Sequence, residues 1–429
     1  MPAAWRCLAR LLALALLLAQ PGCSSGTDAP PERIVLIVVD TLRRDHVSCY
    51  GAKTLTREID SLAAKGQKFS NAYSSFHQTT VSMASLFTGR TPSLESGKDG
   101  AAIEWNGRTA CGMYRFAAKG EDEPCFPASI STLPALMREA GYWTIGVTSN
   151  ALLYRPRGYD HGFDDWVEIE GKWVGPGKPA EFGKYTLPGQ APERNGAAIN
   201  AAVTDALGRR PKERLFLYVH YMDAHDYLGN EVPYEKGVAD ADFYLGQMLA
   251  NLGEQGLLKN AVVVMTADHG ERLGERQVVP GTPSHYGNPS FEQLLQVPLV
   301  VWPARFDDTE RLVRGDDVFR MLKEIAGIPD EGKTDLRPGE LYVSESEYRT
   351  YSEGSWKSFQ SRLTNEKILI NLESDPGGTR NVADEHPEVL AAHEQRTAEL
   401  AMSLATPVAG EGGFTEMERE RLKALGYVR

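Results

Sequence analysis

Two short segments constrain the fold of this chain more than any others: Ile34–Asp40 (IVLIVVD) and Ala261–Glu271 (AVVVMTADHGE). Each is an apolar, β-branched run that stops abruptly at ionisable side chains. A parallel strand buried on both faces reads as a continuous hydrophobic run. Ligands in open α/β sheets bind just beyond the carboxyl ends of such strands. Two strands that deliver Asp40, Asp268 and His269 to one sheet edge are a way to build a metal site. The same residues also have a plainer reading, in which Asp40 caps a helix and Asp268-His269 opens a turn. The presence of both segments in one chain favours the metal.

The rest of the chain supplies partners for those strands. Glu58–Lys65 reads as a helix stopped by Gly66. Within Phe69–Ser93, the stretch Thr80–Phe87 has small and apolar residues at helical spacing, which puts Thr79 and Thr80 at a helix N-terminus. Unpaired N–H groups and the helix dipole favour anions there. STLPALMREAGYWTIGVTSN, starting at Ser131, forms a helix–strand unit with Ser131 or Thr132 as cap, Pro134 in the first turn and Gly141 at the end. Asn195–Leu207 is a further helix. Leu215–Tyr221 (LFLYVHY) is a buried strand delivering Asp223, His225 and Asp226. Ala241–Leu252 is an amphipathic helix, and Val297–Trp302 another strand. Strands alternating with helices imply right-handed crossovers, hence an α/β fold with a mostly parallel central sheet flanked by helices.

Beyond residue 330 the texture changes to short antiparallel strands, a helix over Glu388–Leu404 and a short terminal helix. Residues 33–330 therefore read as the main domain and 331–429 as a small C-terminal α+β subdomain.

The first residues read as an address and not as part of the fold. Arg6 and Arg10 precede LLALALLLA, too short to span a bilayer comfortably, followed by QPGC and a polar tether. Residues 1–22 resemble a bacterial lipoprotein signal peptide, with Gln20 where a Leu is usual. Lipidated Cys23 would begin the tether 23–32 and be the only membrane contact. An ordinary cleaved secretory signal is the alternative. Both place the protein outside the cytoplasm, in the periplasm or on the outer membrane of a bacterium. In such an oxidising compartment Cys111 and Cys125, which bracket the polar loop GMYRFAAKGEDEP, are expected to form a disulfide worth about 3 kcal/mol. Cys49 stays free as a small buried hydrophobe. The net charge of −12 argues against a nucleic-acid partner. An anionic substrate then needs a local counter-charge, which a bound metal would supply.

Several segments together resemble the sulfatase branch of the alkaline phosphatase superfamily: VVDTLRRDHVSCYG, NAYSSFHQTTVSMASLFTGR, YVHYMDAHDY, VMTADHGERLGE, SHYGNPSFEQLLQVPLVVW, LESDPGGTRNVADEHPE and RLKALGYV. The resemblance runs in order from about Arg33 to the end and implies the alkaline-phosphatase-like fold. It implies one divalent metal, calcium, zinc, manganese or magnesium, held by Asp40, Asp268 and His269, with the nucleophile completing the set. Counting back from Thr88-Gly89-Arg90, the nucleophile position is Thr79, with Thr80 the near alternative. Sulfatases carry there a Cys or Ser converted to formylglycine within Cys-x-Pro-x-Arg. This chain reads Thr79-Thr80-Val81-Ser82-Met83, so no formylglycine is expected. Val147–Ala151 also lacks the usual sulfate-binding Lys and His. Phosphotransferases and phosphodiesterases of the superfamily use a metal-bound Thr alkoxide instead.

His225 follows a buried strand by four residues and His285 matches a family position facing the transferred group; both would bind anionic oxygens or protonate the leaving oxygen. Ligation of a second metal with Asp223 is the less favoured reading. Asp242 fits a family position but reads as structural. The expected activity is hydrolysis or transfer of phosphate or phosphonate esters through Thr79. A sulfatase working without formylglycine, and a binding protein that kept the fold and lost turnover, are the alternatives. The substrate would be a small-molecule, glycan or lipid anionic ester. The loops 97–127 and 171–194, with Trp105, Tyr114, Trp173 and Tyr185, would rim its pocket.

Overall fold

The computed structural model describes residues 29–93, 131–155, 158–169, 171–172, 180–182, 185–187, 196–209, 214–225, 233–281, 283–285, 289–330, 332, 334–345 and 347–404. The expected leader with Cys23, the Cys111–Cys125 pair, Asp226, the aromatics Trp105, Tyr114 and Trp173, the side chain of Tyr185 and the terminal helix lie outside these residues.

A seven-stranded sheet organises the main domain. Its strands are β1 (Arg33–Val39), β2 (Gln67–Lys68), β4 (Trp143–Thr148), β5 (Asp165–Glu168), β9 (Leu215–Tyr221), β10 (Ala261–Ala267) and β11 (Leu299–Trp302), in the spatial order β2-β11-β10-β1-β9-β4-β5. The apolar runs read from the sequence are its centre: β1 lies between β9 and β10 and pairs parallel with both. β4 and β5 continue the parallel set, whereas β11 pairs antiparallel with β10. Every residue of β9 and β10 is buried, as is all of β1 after Arg33. Both faces are therefore covered, which explains the absence of polar alternation in these strands.

Helices α1 (Arg57–Lys65), α2 (Thr79–Thr88), α3 (Leu133–Glu139), α4 (Gly196–Leu207), α5 (Tyr234–Glu254), α6 (Glu292–Leu295) and α7 (Gly315–Ala326) belong to this domain. Thr132 caps α3 through its hydroxyl, with Pro134 in the first turn. Helix α5 begins seven residues before the apolar pattern at Ala241 becomes obvious. Pro233 precedes it, and Tyr234 and Val238 extend its buried face toward the N-terminus. Short strands β3 (Asn71–Tyr73) and β12 (Leu312–Arg314) pair with each other, and β6 (Gly171–Lys172), β7 (Ala180–Phe182) and β8 (Tyr185–Leu187) form a separate small sheet.

After α7 comes the antiparallel meander β13 (Glu340–Ser344), β14 (Tyr348–Glu353), β15 (Trp356–Ser361) and β16 (Lys367–Asn371), closed by α8 (Pro387–Leu404). Its strand β13 packs Leu341 and Val343 against Phe76, Val81 and Leu295, so the small sheet buttresses the start of α2. No helix among the described residues is long and apolar enough to cross a membrane. Cys49 is free and half-buried, its thiol pushed up to about 11 by burial beside Asp60.

Candidate active site

Sheet register assembles the site. Val38 of β1 lies beside His220 of β9 and Thr266 of β10, while His220 lies beside Thr148 of β4. Side chains repeat on one face every second residue. Two positions beyond this row, Asn150, Asp40 and Asp268 therefore leave the strands together at their carboxyl ends. Asp40, Asp268 and His269 are wholly buried, and one ligand atom from each lies within 4.8 Å of the others.

The hydrogen bonds show which atoms face inward. Asp268 Oδ1 accepts from the N–H groups of His269 (2.8 Å) and Thr41 (3.1 Å), leaving Oδ2 without a hydrogen bond and 3.4 Å from His269 Nε2. Thr41 makes its contact from the left-handed region at φ 57°, an uncommon place for a β-branched residue and a strain of the sort found at functional sites. Asp40 Oδ2 accepts from Asn150 Nδ2 at 2.6 Å and faces His220 Nε2 at 3.0 Å, while its Oδ1 has no partner. His269 donates from Nδ1 to the Gly270 carbonyl at 2.8 Å, so its Nε2 carries the lone pair. Two unpartnered buried carboxylate oxygens and an imidazole lone pair fit a divalent cation with mixed oxygen and nitrogen donors. Burial would raise the Asp40 carboxyl, but His225, His220 and His269 outweigh it and hold the group well below the usual carboxylate range.

Thr79 is the first residue of α2, and its side chain does not cap the helix. Its Oγ1 lies 3.3 Å from His269 Nε2, 3.4 Å from Asn150 Nδ2 and 3.5 Å from Asp40 Oδ2. The neighbouring Thr80 is also buried, and its carbonyl accepts from Tyr159. Helix α2 is fixed at its far end by Gly89, in the left-handed conformation (φ 65°), where a Cβ would meet Phe319 of α7 at 2.3 Å.

His285 and His225 flank the cluster, with ring centroids 4.7 Å apart for His285 and His269 and 5.5 Å for His285 and His225. His285 Nδ1 lies 2.9 Å from Glu271 Oε2. Burial above all, with His269 and His225 close by, holds His285 well below the usual imidazole range, and burial pushes Glu271 up to about 7. His225 is half-buried and its Nδ1 has no partner. Asp223 does not join these histidines in a second ligand set: its Oδ1 accepts from Gly196 N at the start of α4. Among the described residues, Asp40, Asp268 and His269 are the only three that could jointly hold an ion. Asp242 accepts from the N–H groups of Glu58 (3.1 Å) and Ile59 (2.9 Å), so it caps α1 away from the site.

Asn150, His220 and Glu271 are contacts that sequence reasoning did not reach. His220 carried a signal, an ionisable residue inside an otherwise apolar strand. The pattern of apolar runs ending at charges points beyond the strand ends, whereas His220 acts from within a strand. Asn150 lay in VTSNA, read only for the Lys and His it lacks.

The Sulfatase family model matches residues 32–319. The chain is 24% identical to rat steryl-sulfatase over 502 aligned residues, covering 89% of this chain and 84% of the relative. A Bacteroides thetaiotaomicron structure from a locus for glycosaminoglycan metabolism superposes with a TM-score of 0.64 at 18% identity, covering 87% of this chain and 99% of the other. The phosphonate monoester hydrolase of Agrobacterium radiobacter does so with a TM-score of 0.60 at 15% identity, covering 89% and 99%. Fold and family agree with the mostly parallel sheet and the small antiparallel C-terminal sheet described above. The chain belongs to the sulfatase family.

Proposed function

We propose that this sulfatase-family hydrolase is an exported, metal-dependent enzyme that cleaves or transfers phosphate or phosphonate esters, with Thr79 as nucleophile. The observation that carries the reading is the position of Thr79 Oγ1, within 3.5 Å of Asp40 Oδ2, His269 Nε2 and Asn150 Nδ2. Asp40, Asp268 and His269 would hold the cation. Bound there, it would supply positive charge that eases loss of the Thr79 proton and offsets the charge of the ester. Asn150 donates toward Thr79 and orients its lone pairs. The N–H groups at the start of α2 would favour an anion bound there. His225, whose Nδ1 is uncommitted, is assigned protonation of the leaving oxygen. His285, kept neutral and backed by Glu271, is assigned contact with the substrate's oxygens.

The absence of Cys or Ser at position 79 and of Lys and His in Val147–Ala151 supports phosphorus over sulfate esters. The likeness to a phosphonate monoester hydrolase is of the fold alone. Similarity to steryl-sulfatase favours the second reading, a sulfate ester. The test is turnover by the mature chain of aryl phosphates, phosphodiesters, phosphonates and sulfates, with calcium, magnesium, manganese or zinc, beside Thr79→Ala. Phosphoester or phosphonate turnover lost in the variant supports the proposal, and sulfate turnover alone overturns it. Fractionation of cells carrying Cys23→Ala beside the native chain tests the lipid anchor.

A further inference from the structure

We infer that His220, itself fixed by Tyr218, is a positioning residue that presents Asp40 Oδ1 to the cation; this rests on the metal reading above. The chain of contacts is short and entirely buried. Tyr218 Oη lies 2.7 Å from His220 Nδ1, and His220 Nε2 lies 3.0 Å from Asp40 Oδ2. Tyr218, His220 and Asp40 are each 0% exposed.

An ionised carboxylate only accepts, so Nε2 must carry the proton that bonds Asp40. Nδ1 of the neutral ring is then the acceptor, and Tyr218 Oη–H is its donor. The phenol thereby selects one tautomer, and the ring is held in one orientation. Tyr218 is in turn wedged by aromatic neighbours, stacked on Trp166 (10° between planes) and edge-on to Phe87.

Asp40 Oδ2 receives His220 on one side and Asn150 Nδ2 on the other, at 2.6 Å. With that oxygen committed, the carboxylate cannot rotate freely, and its unpartnered Oδ1 is the atom left for a cation. The register of β1 and β9 dictates the pairing, since His220 stands beside Val38, two residues before Asp40 on the same face. Asp268 is oriented differently, by the backbone N–H groups of Thr41 and His269. His220 is thus a lever on one ligand only. Partners that orient metal ligands commonly change metal affinity by about 10–100-fold when removed.

The experiment measures binding of Mn²⁺ alone to the full mature chain stripped with chelator, using paramagnetic resonance of free Mn²⁺, with Zn²⁺ by calorimetry as a second probe. His220→Leu removes the donor; His220→Gln keeps an N–H near the Nε2 position; Tyr218→Phe removes only the hydroxyl. Expected is a roughly 10–100-fold weaker Kd for His220→Leu, recovery to within about threefold in His220→Gln, and a smaller loss for Tyr218→Phe. The melting temperature of the metal-free proteins should not follow that order. Wild-type affinity in His220→Leu would overturn the inference. So would equal weakening in Leu and Gln variants that tracks a lower metal-free melting temperature. If His220→Leu does not fold, unchanged affinity in both Tyr218→Phe and His220→Gln overturns it, while weakening in Tyr218→Phe alone supports it. Failure of the wild-type chain to bind either ion would instead defeat the metal reading itself.

Discussion

Two residues before Thr79, His77 joins a buried chain that the proposed chemistry does not use. Its Nδ1 lies 3.0 Å from Ser290 Oγ, and Ser290 donates to Glu345 Oε1 at 3.0 Å. Burial pushes the Glu345 carboxyl up to about 8 and the His77 imidazole down to about 3, so the chain is uncharged near neutral pH. Because the folded pKa of Glu345 is raised, its contribution to stability is complete below the unfolded value near 4.5 and is lost as pH rises through about 8. His77, depressed, has the opposite slope: its contribution is present above 6.5 and lost as pH falls through about 3. Glu345→Gln should therefore raise the melting temperature relative to wild type far more at pH 8.5 than at pH 5. A pH-independent difference would show that Glu345 is ionised in the fold. At the proposed metal site, Asp268→Asn should abolish metal-dependent stabilisation, read as the loss of the melting-temperature rise on adding Mn²⁺ or Zn²⁺.

Two contacts made by the helices differ in what their removal does. Asp242 of α5 accepts from two N–H groups at the start of α1, so Asp242→Ala should cost about 0.5–2 kcal/mol in urea denaturation. It should leave kcat unchanged, because Asp242 lies outside the cluster around Thr79. Gly89 is different. Alanine there takes on a left-handed backbone and a Cβ clash with Phe319, a combined cost of about 2–4 kcal/mol. Since Gly89 ends the helix that carries Thr79, kcat should fall together with stability. Unchanged stability in Gly89→Ala would mean that α7 moves aside at little cost.

At the scale of the whole molecule, the small C-terminal sheet is docked to the main domain by a charge pair whose lysine is buried and whose glutamate is half-buried. Lys357 of β15 is wholly buried and bonds both carboxylate oxygens of Glu292 on α6 at 3.0 Å. Lys357→Met should cost about 1–3 kcal/mol by leaving the half-buried Glu292 unpaired, and the double variant with Glu292→Leu should recover most of it in chemical denaturation. No recovery would show that the pair has value beyond avoiding an unpaired charge. Because β13 also packs on Phe76 and Val81, loosening this sheet should lower kcat without contact with substrate. The amino-acid sequence alone determined the central strands, the antiparallel tail, and Asp40, Asp268 and His269 at one sheet edge, while the resemblance to the sulfatase family added Thr79 to them. Those features are written locally, in apolar runs that end at charges and in a helix start. Only the tertiary structure decided that His220 and Asn150 hold Asp40, that Glu271 backs His285, and which helix starts Asp223 and Asp242 bond. Such pairings depend on which strands lie side by side and in what register, and that is set by packing of the whole sheet rather than by any one segment.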